Sequence, residues 1–380
     1  MNDIIHLRRT LHRYPELSNE ETETAKRISA FFEDLRPDAV LNTGRTGKIF
    51  VFDSGKPGPC ILFRCELDAL PIQERAEIAH KSMHDGVAHL CGHDGHMAIM
   101  ARLGQLISQN RPSKGKSAIL FQPAEENQLG AKDVVESKAF HELSPDEIYA
   151  LHNIPGQKKN TVLVKTGSFS AASCGITIRL QGRTSHAAEP EKGLNPWFAA
   201  QKITEEIQRL PESKGAFHDR IITTLIYMRL GEIAFGISPS DLEMGITLRA
   251  FENEDLILLR NKAEQIVSNH SEAEGIASEI SYSEYYPATE NDEACIQSIK
   301  KAAERNGHAL IEMTEPNRWS EDFAYFTATN RGAQFGYGSG SEQPNLHDPE
   351  YDFPDDIIQP AAELFFEIYR ERLKIKNREF

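Results

Sequence analysis

Apolar residues in the first third of the chain recur in two different registers. Over residues 2–12 and 20–35 they fall three and four positions apart, as in amphipathic helices, with Ser18 or Asn19 placed to cap the second. Residues 48–53, 60–64, 117–121 and 147–152 are short apolar runs, the first two parted by Ser-Gly-Lys-Pro-Gly-Pro. Such runs predict buried strands, the first pair joined by a turn. A helix-like run over residues 97–109 lies among them, with Asp94 placed to cap it. This alternation predicts an α/β domain, a mixed sheet flanked by helices, with functional residues at strand ends.

The pattern changes near Ala171. A strand over 173–181, a helix over 195–210 with Pro196 in its first turn, alternating strands over 220–230 and 241–251, a helix over 253–271 and a strand over 277–285 follow. The order β-α-β-β-α-β is the ferredoxin-like arrangement. After Pro287 the first pattern returns, with helices over 292–306 and 320–327, a strand over 333–337 and a closing helix from Asp356. The expected organisation is a discontinuous α/β domain, residues 1–171 with 288–380, interrupted by an inserted domain over 172–287.

Composition narrows the function classes. A length of 380 residues exceeds the usual single-core limit, in keeping with two domains. A net charge of -15 argues against nucleic-acid partners and anionic membranes. No window approaches the ~18 apolar residues of a membrane span, and the first residues lack the basic-then-apolar pattern of a secretory leader. Five scattered cysteines, Cys60, Cys65, Cys91, Cys174 and Cys295, do not make a disulfide framework, so a reducing cytoplasm is expected.

The candidate chemistry lies in two segments. Cys91-Gly92-His93-Asp94-Gly95-His96 places a thiolate and an imidazole two residues apart in a glycine-containing turn. Divalent ions such as Zn²⁺ accept both groups and carboxylates too, but this spacing alone is a weak signal. Gln122-Pro123-Ala124-Glu125-Glu126 ends a strand with paired carboxylates. On an extended backbone neighbours point to opposite sides, so one Glu is expected to bind metal while the other faces the attacking water. The alternative, a solvated acidic turn, sits poorly with the apolar residues before it. His152 and His347 each follow a strand-like run and complete the candidate set.

Together these residues carry a resemblance. The chain is similar to the binuclear-metal amidohydrolases that include N-acyl-amino-acid amidohydrolases (aminoacylases), hippurate hydrolases and plant auxin-conjugate hydrolases. The matching motifs are Arg-Arg-Thr-Leu-His-Arg-Tyr-Pro-Glu-Leu-Ser (8–18), Leu-Asp-Ala-Leu-Pro (67–71), the two segments above, Leu-His-Asn (151–153), Ser-His-Ala-Ala-Glu-Pro (185–190), Ser-Glu-Asp-Phe (320–323) and Leu-His-Asp-Pro (346–349). The resemblance implies hydrolysis of the amide of an N-acyl amino acid, or a related small amide or dipeptide. It implies two divalent ions (Zn, Mn, Co or Ni) held by Cys91, His93, Glu126, His152 and His347, with Glu125 as general base. Asp68 would orient a ligand imidazole. His186 would contact substrate and steady the oxyanion, commonly in the partner subunit's site. That makes the inserted domain both lid and dimer interface of a homodimer. Arg249 would take an anionic group of the substrate.

The chain also departs from the family pattern. Cys65 and Glu66 replace a small residue and Asp, and Gly236 stands where the family has an Asn that helps hold the substrate carboxylate. Two other readings compete: a non-catalytic ligand-binding homologue that retains the metal site, and a cysteine hydrolase built on Cys91. His12 is expected to pack beneath the site, and His80, His84 and His89 to lie on a solvated loop. Cys60, Cys174 and Cys295 read as small buried hydrophobes.

Overall fold

The computed structural model describes residues 1–213 and 215–373. These divide into two compact units. One comprises Met1–Phe169, Thr289–Glu315 and Glu321 onward, and the other Ser170–Ala288 with Pro316–Ser320.

In chain order the first unit supplies helices α1 (Asn2–Arg13) and α2 (Thr22–Glu33), strands β1 (Ala39–Thr43), β2 (Gly47–Asp53) and β3 (Cys60–Glu66), helix α3 (His93–Gln109), and strands β4 (Lys116–Gln122), β5 (Glu147–Pro155) and β6 (Thr161–Val164). The second unit contributes β7 (Ala172–Gln181), α4 (Trp197–Arg209), β8 (Ile221–Leu230), β9 (Asp241–Ala250), α5 (Asn253–Ala273) and β10 (Ala277–Tyr286). The chain then returns to the first unit with α6 (Glu293–Arg305), β11 (Ala309–Glu312), β12 (Arg331–Gly340) and α7 (Ile358–Arg372).

The first unit is an eight-stranded mixed sheet in the order β1-β2-β4-β3-β5-β12-β6-β11. Strands β4, β3, β5 and β12 run parallel, so their C-terminal ends open on one edge. Their side chains alternate between two buried faces, which is why the sequence reads as unbroken apolar runs. In β4, Ile119 and Phe121 join the core beneath α1, α2, α3, α6 and α7, while Ala118 and Leu120 face a smaller core with Phe140, Phe323 and Phe326. The short strands β1, β6 and β11 were not foreseen; β1 and β11 are largely exposed and carry little apolar signal.

The second unit is a four-stranded antiparallel sheet, β8-β9-β7-β10, whose apolar face packs on both α4 and α5. This is the expected ferredoxin-like topology. Among the described residues no helix is long and apolar enough to cross a membrane. All five cysteines are free and buried.

Capping differs from expectation. Asn19 takes a left-handed φ of 70° and Ser18 donates to Asp68, so neither caps α2. The Glu16 carboxylate instead accepts the amides of Glu23 at 3.2 Å and Thr24 at 2.7 Å. Asp94 lies inside the first turn of α3 behind Gly92, and is bound to Arg8 and His12. Residues 320–322 are not helical; the helix expected over 320–327 is confined to Ala324–Thr327. Its would-be first turn is drawn into an ionic cluster instead.

That cluster centres on Arg64 at the end of β3. Its fully buried guanidinium donates to Gln122 at 2.7 Å, to Asp322 at 2.6 Å and to Glu66, and lies 3.0 Å from Glu321. Burying such charges is tolerable only while each is paired. Replacing Arg64 by Met strands three carboxylates in the interior, so the variant is expected to lose about 3–5 kcal/mol of stability in denaturant titration. An isostable variant would contradict this account.

Candidate metal centre

Five elements of the first unit bring the candidate residues together. Gly92 holds φ at 93°, and a Cβ there would lie 2.8 Å from the Asn153 amide, so the turn from Cys91 into α3 requires glycine. His93 opens α3, His152 sits in β5, and Glu125 and Glu126 follow β4. His347 lies in the loop after β12 at a left-handed φ of 67°, with its amide bonded to the Leu90 carbonyl at 2.8 Å.

Ligand atoms of Cys91, His93 and His152 lie within 4.8 Å of one another, as do those of Cys91, Glu126 and His347. The two triads share Cys91 and between them contain all five candidates. Cys91 Sγ is 3.5 Å from His152 Nε2, and His347 Nε2 is 4.0 Å from Glu126 Oε1. Both glutamates approach His93 Nε2, Glu126 at 3.9 Å and Glu125 at 4.0 Å. Glu126 also groups with Cys91 and His347.

The expectation that the two glutamates point apart is overturned. Ala124 takes φ 55° and Gln128 φ 72°, so the pair lies in a tight turn rather than on extended backbone. Both carboxylates therefore face the same imidazole. The turn is pinned by short contacts: Gln128 N bonds Glu125 O at 2.9 Å and Gly130 N bonds Ala124 O at 3.1 Å.

Hydrogen bonds from the opposite ring nitrogens aim both buried imidazoles inward. His93 Nδ1 donates to the Asp68 carbonyl at 2.9 Å and lies 3.5 Å from Asp68 Oδ1. His152 Nδ1 donates to the Asn153 carbonyl at 3.0 Å. Each arrangement leaves Nε2 as a lone-pair donor toward the cluster. Asp68 Oδ2 accepts from Ser18 at 2.7 Å and from the Glu126 amide at 2.9 Å, tying the imidazole and the carboxylate to one residue.

The electrostatics call for a cation. His93 Nε2 and Glu126 Oε1 are buried without a hydrogen-bond partner. Burial, then Glu321 and Glu126, raises Glu125 well above the ordinary carboxyl range, and burial lifts Glu126 to about 7. Burial likewise drives the Cys91 thiol up and His152 down to about 3. Burial opposes a charge on His93 too, but Cys91, Asp68 and Glu126 outweigh it and raise that pKa. Thiolate, imidazole and carboxylate donors with orphaned lone pairs are the donor set divalent transition ions take, so the residues present fit such ions.

A model of peptidase family M20/M25/M40 matches residues 62–371. The chain belongs to that family. It is 30% identical to N-acetylcysteine deacetylase of Bacillus subtilis (strain 168), over 96% of this chain and 95% of that one. It is 29% identical to hippurate hydrolase of Campylobacter jejuni, over 97% and 96%. A Bacillus subtilis protein described as a dinuclear metal-binding peptidase of family M20 superposes with a TM-score of 0.86 at 27% identity, covering 99% of each chain. This M20 chain is accordingly a metal-dependent amidohydrolase.

The remaining predicted residues lie in the second unit. His186 is exposed on a two-residue strand paired with Ile237. Arg249, in β9, donates Nη1 to the Arg318 carbonyl at 3.0 Å and to Ser320 Oγ at 2.9 Å.

Sequence reasoning misplaced several residues. His80 and His89 are buried, not solvated: His80 meets Arg8 and Asp352, and burial depresses His89 to about 3. His12, by contrast, is buried as expected, between Asp94 at 2.9 Å and Glu74 at 3.1 Å. Asp94, expected to cap α3, instead binds Arg8 and His12, and Arg8 was not singled out individually, although the 8–18 motif contains it.

Metal removal has a readable consequence for stability. A ligand that binds only the folded state adds about 2.7 kcal/mol when present at 100 times its Kd. For a chain of 380 residues that amounts to about 3–4 °C in Tm. Exhaustive chelation should lower the melting temperature by about that much, and added metal should restore it. Cys91→Ser, which weakens both triads, should shrink the response; an unaltered response would separate Cys91 from the metal.

Proposed function

We propose that this amidohydrolase cleaves an N-acyl amino acid, or a related small amide or dipeptide, through two divalent ions held by Cys91, His93, Glu126, His152 and His347. The observation that carries the reading is the pair of ligand triads meeting at Cys91. Which of Zn, Mn, Co or Ni fills them is left to elemental analysis, since all suit this mixed donor set. Ions bound there supply Lewis-acid polarisation and a water whose pKa falls from about 15.7 toward about 7.

Glu125 is the general base. It accepts the proton of the attacking water and passes it to the departing amine. Its proton affinity, raised by burial, by Glu321 and by Glu126, suits a group that must first take a proton and then give it up. Asp68 fixes the orientation of His93. Against the competing non-catalytic reading stand Glu125 and the five candidate ligands, all present and grouped; the Gly236 departure alone speaks for it.

The second unit serves as lid and dimer interface in this reading. In the segment joining β8 to β9, Ile233 and Phe235 are 97% and 98% exposed, an apolar exposure that supports burial against a second copy. His186, exposed beside that segment, is the donor for the oxyanion and contacts substrate in the partner subunit's site. Arg249 takes an anionic group of the substrate, its guanidinium steadied by Arg318 and Ser320. The substrate is a small molecule, and the cytoplasm is the compartment assigned to it.

Gly236 shifts the substrate range. A Cβ at this position would meet nothing within 4 Å, so local packing does not demand glycine in place of the family's Asn. Assayed on N-acetyl, N-benzoyl and indole-acetyl amino acids, the protein should prefer one class strongly. Gly236→Asn should improve the poorer substrates that carry a free carboxylate. Equal rates on all three classes would contradict this.

Glu125→Gln should retain close to the wild-type metal content by elemental analysis while turnover falls about 10²–10⁴-fold. Undiminished turnover would remove Glu125 from the mechanism; full activity after chelation would favour the Cys91 nucleophile.

A further inference from the structure

Glu21 has a carboxylate that the reaction does not use and that sequence reasoning passed over. It stands just before α2, in the run Glu20-Glu21-Thr22-Glu23, and is fully buried while Glu20 and Glu23 are exposed. Among the described residues it forms no ion pair. Burying a carboxylate without a cation is costly, so its hydrogen bonds must account for its place.

Those bonds lead to the glutamate turn. Glu21 Oε1 accepts the Ala124 amide at 2.8 Å and the Asn19 amide at 2.8 Å, and Oε2 accepts Thr46 Oγ1 at 2.7 Å. Ala124 is the left-handed residue immediately before Glu125. Its conformation is unfavourable for a side-chain-bearing residue and persists only where the surroundings impose it. Two residues further on, the Glu126 amide is held by Asp68. The turn carrying base and ligand is therefore gripped at both shoulders, by Glu21 ahead of Glu125 and by Asp68 at Glu126. Gly130 closes its far side so tightly that a Cβ there would fall 1.7 Å from the Pro123 carbonyl oxygen.

We propose that Glu21 is a positioning residue, holding Ala124 in its left-handed conformation so that Glu125 and Glu126 both face His93. The inference rests on the roles proposed above for those two glutamates. Glu21 is neither a candidate ligand nor the proposed base, and its acceptor oxygen, rather than its charge, makes the bond to Ala124.

Three substitutions separate acceptor, charge and bulk. Glu21→Gln keeps an oxygen for the Ala124 and Asn19 amides and an NH₂ for Thr46. Glu21→Asp keeps the charge but withdraws the acceptor by about 1.5 Å. Glu21→Ala removes it. Glu16→Ala is the control: Glu16 lies in the same segment and also accepts two amides, but both belong to α2.

Each metal-loaded variant would be assayed on an N-acetyl amino acid that the wild type turns over, with metal affinity measured by competition against a chromogenic chelator. The expected result is a fall of about tenfold or more in kcat and in metal affinity for Glu21→Asp and Glu21→Ala. KM should stay within about threefold, Glu21→Gln should stay close to wild type, and Glu16→Ala should lose melting temperature but not kcat. Should Glu21→Ala not fold, the Asp and Gln variants decide the matter. The proposal is overturned if Glu21→Asp keeps wild-type kcat and metal affinity, if Glu21→Gln is as impaired as Glu21→Asp, or if Glu16→Ala matches the Glu21 losses. A wild type that binds no metal and cleaves no acyl amino acid would instead defeat the proposed function itself.

Discussion

Concentrating carboxylates inside a protein is unfavourable unless every oxygen is hydrogen-bonded and the surplus charge meets a cation. This constraint shapes the whole first unit. Glu21, Glu66, Asp68, Asp94, Glu125, Glu321 and Asp322 are all buried around the strand ends. Arg64 answers Glu66, Glu321 and Asp322, and Arg8 with His12 answers Asp94. Glu21, and the Oδ2 of Asp68, are satisfied by backbone amides and hydroxyls, while Asp68 Oδ1 faces His93 at 3.5 Å. Glu125 and Glu126 are left over, and the divalent ions proposed here balance them.

The backbone places these groups by two devices. Parallel strands β3, β4, β5 and β12 deliver residues from distant parts of the sequence to a single edge, as open α/β sheets do for their ligands. Left-handed turns then redirect the chain where a side chain must face the centre: Gly92 before His93, Ala124 before Glu125, and His347 itself. The first uses glycine at no steric cost. The other two do not, and such conformations cost of the order of 1–3 kcal/mol each. The bonds from Glu21 to Ala124 and from His347 N to Leu90 offset that cost.

How much of this was legible depended on whether the signal was local. Buried parallel strands announce themselves as short apolar runs, and the β-α-β-β-α-β order of the second unit followed from periodicity alone. The Cys91–His93 spacing was visible but weak, and gained force only beside Glu125, His152, His347 and the family motifs. The glutamate turn was misread because nothing in Pro123-Ala124-Glu125 signals a positive φ at alanine. Asp94 was misread because its partner Arg8 lies 86 residues away, so the local reading as a helix cap won by default. Glu21 was invisible for a related reason: in an acidic run, sequence does not say which carboxylate turns inward.

The same accounting explains why folding and metal binding should be linked in this M20 chain. Without a cation, Cys91, Glu125 and Glu126 are driven by burial toward their protonated forms. Metal uptake must then expel protons as well as satisfy lone pairs. At the proposed site, the bonds to Glu21, Asp68 and Leu90 hold the backbone of Ala124, Glu126 and His347 before any ion binds, which lessens the entropy lost on loading. Preorganisation of this kind locates the cost of ordering in folding rather than in binding. It follows that a residue need not be a ligand to govern how well the centre is formed, as proposed for Glu21 through its bond to Ala124.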